Sequence, residues 1–82
     1  MTESILDQVR RVAADVFTMP LEQVTSESSP ETIGNWDSLQ HLNVVLALEQ
    51  SFGLEFAPEE IEQMLSVEAI VMLVKEKLAQ FN

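Results

Sequence analysis

Apolar residues in the first part of the chain recur every three or four positions, which is the spacing of an amphipathic helix. Between residues 4 and 17 these positions are Ile5, Val9, Val12, Ala13, Val16 and Phe17. Most of the charged residues of this segment lie between them, as expected for a helix with one buried face. Because Pro20 lacks the backbone N–H that a helix interior needs, we expect this first helix to end before it.

The next segment, residues 20 to 36, has no regular period. It holds two prolines, one glycine and four Ser or Thr residues between positions 25 and 29, a composition typical of loops. We expect Leu21, Val24 and Ile33 to hold this loop against the core. Loops of this length without structure of their own are usually functional or disordered, so the loop is a candidate for a functional segment.

Helical periodicity returns at Asp37 or Ser38. A second helix is predicted from there to about Phe52, with Gly53 in the position that commonly follows a helix. A short third helix is predicted over residues 57 to 64, because Pro58 and two glutamates open it. A fourth helix is predicted to begin after Ser66, which serves as its cap. Its buried row consists of Val67, Ile70, Val71, Val74 and Leu78, and Phe81 is a candidate extension of that row.

These elements predict an all-α fold, a small four-helix bundle with a long loop between helices 1 and 2 and a short helix 3. The chain has 82 residues, so we expect one domain over residues 1–82 with a small core. Only two glycines and three prolines occur, and 46% of the residues are hydrophobic. This composition favours packed helices over a disordered or β-rich chain.

The second helix is apolar on two sides. At 100° per residue, one stripe consists of His41, Val44, Val45, Leu48 and Phe52. A second stripe consists of Leu39, Leu42 and Leu46, and together the apolar positions span about 220°, more than one buried face needs. Either the helix is buried on both sides, which the spacing alone favours, or the three leucines form an exposed docking strip.

The charge distribution bears on the partners of the protein. The net charge is −10, and the four basic residues, Arg10, Arg11, Lys75 and Lys77, lie near the chain ends. Residues 12 to 74 contain 11 acidic residues and no basic one. This stretch would repel nucleic acid and anionic membranes and would attract a partner with a basic patch. An acidic surface kept for solubility explains the charge equally well.

The chain lacks cysteine, which excludes disulfides, thiolate metal sites and a thiol nucleophile from the protein itself. Its N-terminus lacks the basic segment and apolar run of a signal peptide, and no stretch approaches the roughly 18 apolar residues of a membrane span. We therefore expect a cytoplasmic protein.

The junction before the second helix carries the most specific pattern. It reads Gly34-Asn35-Trp36-Asp37-Ser38-Leu39. By itself an Asp-Ser pair at a helix start indicates only a cap. Here it is followed at fixed spacing by Leu42, Leu46, Leu48-Glu49, Phe52-Gly53 and Phe56. This extended pattern resembles the acyl carrier protein family and the related peptidyl and aminoacyl carrier domains, over nearly the whole chain.

The resemblance implies a carrier rather than an enzyme. In this family the matching serine, here Ser38, receives 4′-phosphopantetheine from coenzyme A through a separate Mg²⁺-dependent phosphopantetheinyl transferase, and Asp37 matches the acidic residue that engages the transferase. The implied partners are acyl- or aminoacyl-loading and acyl-transferring enzymes with basic docking patches. We expect a monomer, because a docking strip would serve transient partners better than a permanent dimer. The positions that match partner-facing residues are Leu39, Leu42, Leu46, Glu49, Glu62 and Met64. Core filling explains Met64 equally well.

One departure from the family pattern concerns the pathway. Carriers of fatty acid biosynthesis have a richly acidic second helix, whereas the matching residues here are the neutral Gln40, Asn43, Gln50 and Ser51. The tryptophan before Asp-Ser-Leu is also more typical of specialised pathways. We therefore expect a dedicated carrier in a polyketide, nonribosomal or polysaccharide-modifying route.

Three other interpretations follow from the residues. An unmodified acidic helical adaptor would keep the charge and the leucines without needing Ser38. A hydrolase that pairs Ser38 with His41 would need a nucleophile elbow and an oxyanion hole, neither of which the sequence contains. We expect His41 to be a satisfied core or edge histidine. The acids of the third helix, Glu59, Glu60 and Glu62, could be read as a weak site for a divalent cation. They lack the spacing of a calcium loop, and their place at a helix start explains them more simply.

Overall fold

The computed structural model describes residues 4 to 80, without the side chain of Gln80, so the predicted extension at Phe81 lies outside the described residues. This part of the chain forms four α-helices and no strand, which confirms the predicted class. The helices are α1 (Ile5–Phe17), α2 (Ser38–Phe52), α3 (Pro58–Glu62) and α4 (Val67–Gln80). Within residues 4–80, no helix is both long and apolar enough to cross a membrane.

The helix ends follow from local chemistry. The Ser4 hydroxyl accepts a hydrogen bond from the Asp7 amide at 3.1 Å and begins α1. Gly53 ends α2 with φ of 66°, a left-handed conformation that glycine adopts without strain. The third helix is shorter than predicted, because the amides of Gln63 and Met64 donate to carbonyls three residues back and tighten the chain into a turn.

The core lies between α1, α2 and α4, where the predicted apolar rows meet. Its residues from these helices are Val9, Ala13, Ala14 and Phe17 of α1, Val44, Val45 and Leu48 of α2, and Val67, Ile70, Val71 and Val74 of α4. Leu78 is partly buried against this cluster. The periodicity of the sequence therefore identified the buried faces of these three helices.

The loop between α1 and α2 is held by two of the three residues predicted to anchor it. Val24 and Ile33 are buried, but Leu21 is 37% exposed, so the expectation for Leu21 was wrong. Leu21 begins a three-residue 3₁₀ turn, and its backbone carbonyl makes the attachment by accepting a hydrogen bond from Arg10 Nη2 at 3.0 Å. The backbone of Leu21, not its side chain, anchors this turn.

The same loop caps the start of α4. The amides of Val67 and Glu68 donate to the carbonyls of Ser28 and Ser26, both at 2.9 Å. The predicted cap, Ser66, accepts the amide of Ala69 at 3.1 Å. The first amides of a helix have no partner within it, so this loop is ordered by supplying acceptors for α4.

Arg10 fastens the other end of the loop to α1. Its Nε donates to the Val24 carbonyl at 2.5 Å, and the guanidinium also reaches Leu21 and Asp7. The pair with Asp7 is half exposed and contributes little. The two bonds from a charged donor to loop carbonyls are the stronger contribution.

We predict that Arg10→Met lowers the free energy of unfolding by about 1.5–3 kcal/mol, the range for hydrogen bonds to charged groups. Urea denaturation measures this change. Lys75→Met is the matched control, because it removes the same charge from an exposed position of α4 and should change stability by less than about 0.5 kcal/mol. Equal losses in the two variants would mean that net charge, not the loop attachment, is responsible.

Candidate functional site

Ser38 is the first residue of α2 and is exposed. The helix cap is its neighbour, Asp37, whose Oδ1 accepts the Gln40 amide at 2.9 Å. Within residues 4–80, no hydrogen bond occupies the Ser38 hydroxyl, although the sequence allowed either residue to serve as the cap. The hydroxyl therefore faces solvent beside the free amides and positive dipole end of a helix.

Two side-chain amides tie the start of α2 to the end of α1. Asn35 Nδ2 donates to the Phe17 carbonyl at 3.0 Å, and Gln40 Nε2 donates to the Val16 carbonyl at 3.1 Å. The last carbonyls of a helix lack intrahelical partners, so both bonds satisfy groups that need them. They lie on either side of Ser38 in sequence and fix its position relative to α1.

Sequence reasoning missed this role of Asn35 and Gln40. It treated Gln40 only as a neutral replacement for an acid, yet an amide donor is needed to reach the Val16 carbonyl, and a carboxylate cannot donate when ionised. Gln40 Oε1 also accepts from Asn43 Nδ2 at 2.7 Å. The sequence signal, three amide residues flanking Ser38, was present but had no partner until the end of α1 was placed.

His41 is a satisfied histidine, as predicted. Its Nδ1 accepts from the Trp36 indole N–H at 2.9 Å, and its Nε2 lies 2.9 Å from the Ile61 carbonyl. Trp36 is 4% exposed and packs on Phe17 with 5.2 Å between ring centroids. Both imidazole nitrogens are engaged away from Ser38, which argues against a serine–histidine hydrolase.

The three leucines of the second apolar stripe are exposed. Leu39, Leu42 and Leu46 are 69%, 52% and 56% exposed. The interpretation that α2 is buried on both sides is therefore wrong, and these residues form what we call the leucine strip. An exposed apolar row on a small acidic protein is a candidate protein-binding surface.

A cleft of about 610 Å³ opens between α2, the α3 region and the loop. Its lining is mostly apolar and consists of Pro30, Trp36, Asp37, Ser38, His41, Leu42, Ile61, Glu62, Met64 and Leu65. Ser38 lies at this cleft, so a group attached to its hydroxyl has apolar surface within reach.

The other predicted partner-facing residues differ in their placement. Glu62 is exposed. Glu49 is partly buried, and its Oε2 accepts the Phe56 amide at 2.9 Å, which ties α2 to the segment before α3. Met64 is 1% exposed, so the expectation that it faces partners was wrong and core filling is correct, because the turn after α3 points its side chain inward.

The acidic residues of α3 hold the helix in place. Glu60 Oε1 accepts the Ala57 amide at 2.7 Å and pairs with Lys77 Nζ at 2.9 Å. Lys77 also lies 5.7 Å from the centroid of the Phe56 ring. The Ala57 amide, and then Lys77, hold the pKa of the Glu60 carboxyl below its usual 4.5. Among the described residues, no group of three or more acids or histidines is arranged to hold a metal ion.

Comparison with known proteins places these features in context. No protein-family model matches the chain. It is 32% identical over 76 residues to an acyl carrier protein of Coprothermobacter proteolyticus, covering 93% of each chain. It is 33% identical over 75 residues to an acyl carrier protein of Thermosynechococcus vestitus, covering 92% of this chain and 93% of that one.

The chain is also similar in fold to a solved structure of an acyl carrier protein. The solution structure of a holo acyl carrier protein from Geobacter metallireducens matches with a TM-score of 0.84 and 32% identity. The match covers 95% of this chain and 90% of that chain. The similarity of the fold therefore extends over nearly the full length of both chains.

We predict that Glu60→Gln is less stable than the wild type above pH about 4.5, and that the difference shrinks as the pH falls. A carboxyl with a lowered pKa stabilises the fold when ionised and loses this effect on protonation. Urea denaturation between pH about 7 and about 3 measures the difference. Glu59→Gln removes an exposed charge from the same helix and should change stability by less than about 0.5 kcal/mol. A difference for Glu60→Gln that stays constant with pH would contradict the assignment.

Proposed function

The chain belongs to the acyl carrier protein family, and we propose that it holds acyl or aminoacyl intermediates as thioesters on a 4′-phosphopantetheine arm attached to Ser38. The curated relatives are carrier proteins, not enzymes. The related solved structure is of a holo form, which supports a prosthetic group here. The alternative is the unmodified adaptor, which would not need the serine.

The observation that carries the proposal is the Ser38 hydroxyl, exposed and without a hydrogen bond among the described residues. Because Asp37 caps α2, the serine is not needed to hold the helix together. A phosphodiester at this position would lie at the positive end of the α2 dipole, which favours an anion. When bound, the group supplies the thiol that forms the thioester, and no side chain supplies one because the chain has no cysteine.

The partners are proposed from the surfaces around Ser38. The leucine strip and Glu62 are exposed next to the site and would contact acyl-loading and acyl-transferring enzymes. Asp37 keeps a proposed second role in recognition by the phosphopantetheinyl transferase. The net charge of −10 supports steering toward enzymes with basic docking patches. A cytoplasmic, monomeric carrier suits such transient contacts.

A specialised pathway is proposed from the charge of α2. Residues 38 to 48 contain no acidic or basic residue apart from His41, and Asn43, Gln50 and Ser51 are exposed. Enzymes that select carriers by an acidic second helix would gain little attraction from this surface. A dedicated polyketide, nonribosomal or polysaccharide-modifying route fits this surface better than fatty acid biosynthesis.

We predict that the protein gains the mass of one phosphopantetheine group when incubated with coenzyme A, Mg²⁺ and a broad-specificity phosphopantetheinyl transferase. The Ser38 oxygen forms a bond to phosphorus, the pyrophosphate bond of coenzyme A breaks, and adenosine 3′,5′-bisphosphate leaves as the serine proton is lost. Intact-mass spectrometry measures the gain. Ser38→Ala should gain nothing while remaining folded, because Asp37 supplies the cap.

The matched control is Ser51→Ala, which removes another exposed hydroxyl from α2 and should be modified like the wild type. A second carrier in the same tube shows that the transferase is active. If that carrier is modified and this protein is not, the adaptor is favoured and the carrier proposal fails.

We predict that a fatty-acid malonyl transacylase loads the holo-protein at least about tenfold more slowly than a carrier with an acidic second helix, because charge steering raises association rates by such factors. Gln50→Glu with Ser51→Asp should raise the loading rate, and added salt should remove the gain. Gln40 and Asn43 stay unchanged, because Gln40 holds α1 and Asn43 donates to Gln40. Gln50→Asn with Ser51→Asn is the neutral control. Wild-type loading as fast as that of the acidic carrier would refute the specialised assignment.

A further inference from the structure

Three elements beside Ser38 are joined through one imidazole ring. The Trp36 indole N–H donates to His41 Nδ1 at 2.9 Å, and His41 Nε2 lies 2.9 Å from the Ile61 carbonyl. An indole N–H only donates, so Nδ1 is the acceptor and the ring proton is on Nε2, which donates to Ile61. We call this chain of two hydrogen bonds the relay. It runs from the loop through α2 to α3.

The Trp36 end of the relay is fixed. The indole is 4% exposed and packs against Phe17 of α1. The loop next to it is attached to the same helix end by Asn35. The relay therefore begins on a part of the core that does not depend on α3.

The Ile61 end of the relay lies on α3, which is too short to be a stable helix on its own. A helix of five residues is far below the length at which helices are stable alone. The Ile61 carbonyl lies near the end of α3, where it accepts from the Met64 amide at 3.2 Å within the following turn, and His41 supplies its hydrogen bond to α2. Lys77 of α4 also reaches α3, through Glu60. Loss of the His41 bond would remove the hydrogen bond that joins the Ile61 end of α3 to α2.

The relay also lies along the cleft. Trp36, His41 and Ile61 all line it, together with Ser38. We infer that His41 is a positioning residue that holds α3 against α2, and thereby sets how far the cleft beside Ser38 opens. The part of this inference that concerns cargo rests on the proposed function, whereas the part that concerns α3 does not.

An experiment on the unmodified protein tests whether His41 holds α3 against α2. The chain has a single tryptophan, so its indole N–H gives one resolved signal in ¹H–¹⁵N spectra. In His41→Ala this proton should exchange with solvent faster. The amides of Ile61, Gln63 and Met64 should exchange about tenfold faster, the factor that one lost hydrogen bond allows, while the amides of the α2 core change less.

His41→Gln is the rescue variant, because its amide offers one acceptor and one donor, and it should restore both signals toward wild type. A purely structural role would slow or speed exchange across the whole protein and would not be rescued selectively in α3. If His41→Ala does not fold, Trp36→Phe removes the indole N–H together with part of a buried ring, and it should raise exchange of the α3 amides about threefold more than that of the α2 core amides. Unchanged α3 exchange in the folded variant tested would overturn the inference.

The holo-protein tests the effect on cargo. With an octanoyl group on the arm, hydroxylamine should cleave the thioester several-fold faster in His41→Ala than in the wild type, because an unlatched α3 shelters cargo less. His41→Gln should return toward the wild-type rate. Equal rates in all three proteins would refute control of the cleft by His41. Failure of Ser38 to accept the arm would refute the proposed function instead and would leave the exchange result standing.

Discussion

The hydrogen bond from the backbone amide of Gln40 to the Asp37 carboxylate is the interaction on which the site depends. It gives α2 its cap through the residue before Ser38, so the serine occupies the first turn without being needed there. Had Ser38 been the cap, its oxygen would be held by a backbone amide and any reaction at it would uncap the helix. Separating the two tasks between adjacent residues lets the hydroxyl react while the helix stays intact. Asn35 and Gln40 then fix this start of α2 to the end of α1.

How much the sequence could predict depended on whether the signal was periodic or pairwise. The apolar rows of α1, α2 and α4 and the stop at Gly53 are local, period-based features, and they were confirmed. The exposure of Leu39, Leu42 and Leu46 was not decided by spacing, because an apolar arc of this width is compatible with burial on both sides. Only the placement of the other helices resolves it. The motif identified Ser38 as the candidate site because its residues occur at fixed spacing in the sequence. The same fixed spacing carries the resemblance to the family.

Features that depend on contacts distant in sequence were beyond the sequence. Gln40 pairs with a carbonyl 24 residues away, and Glu49 turns inward to the Phe56 amide. Met64 and Leu21 were both misplaced, one because a turn follows α3 and the other because a 3₁₀ turn exposes it. In each case the residue type was compatible with two environments, and the backbone path chose between them. Polar residues of the loop and of α3 serve mainly as hydrogen-bond partners. This role does not require them to recur at a regular spacing in the sequence.

The capping of α4 by the loop has a consequence for how the chain folds. Its acceptors, the carbonyls of Ser26 and Ser28, are roughly forty residues earlier than the amides they satisfy, so this end of α4 is completed only after a large loop has closed. The start of the last helix and the first connection should therefore form and melt as one cooperative unit. A proteolytic cut in that connection would consequently loosen the start of α4 as well as the segment that was cut.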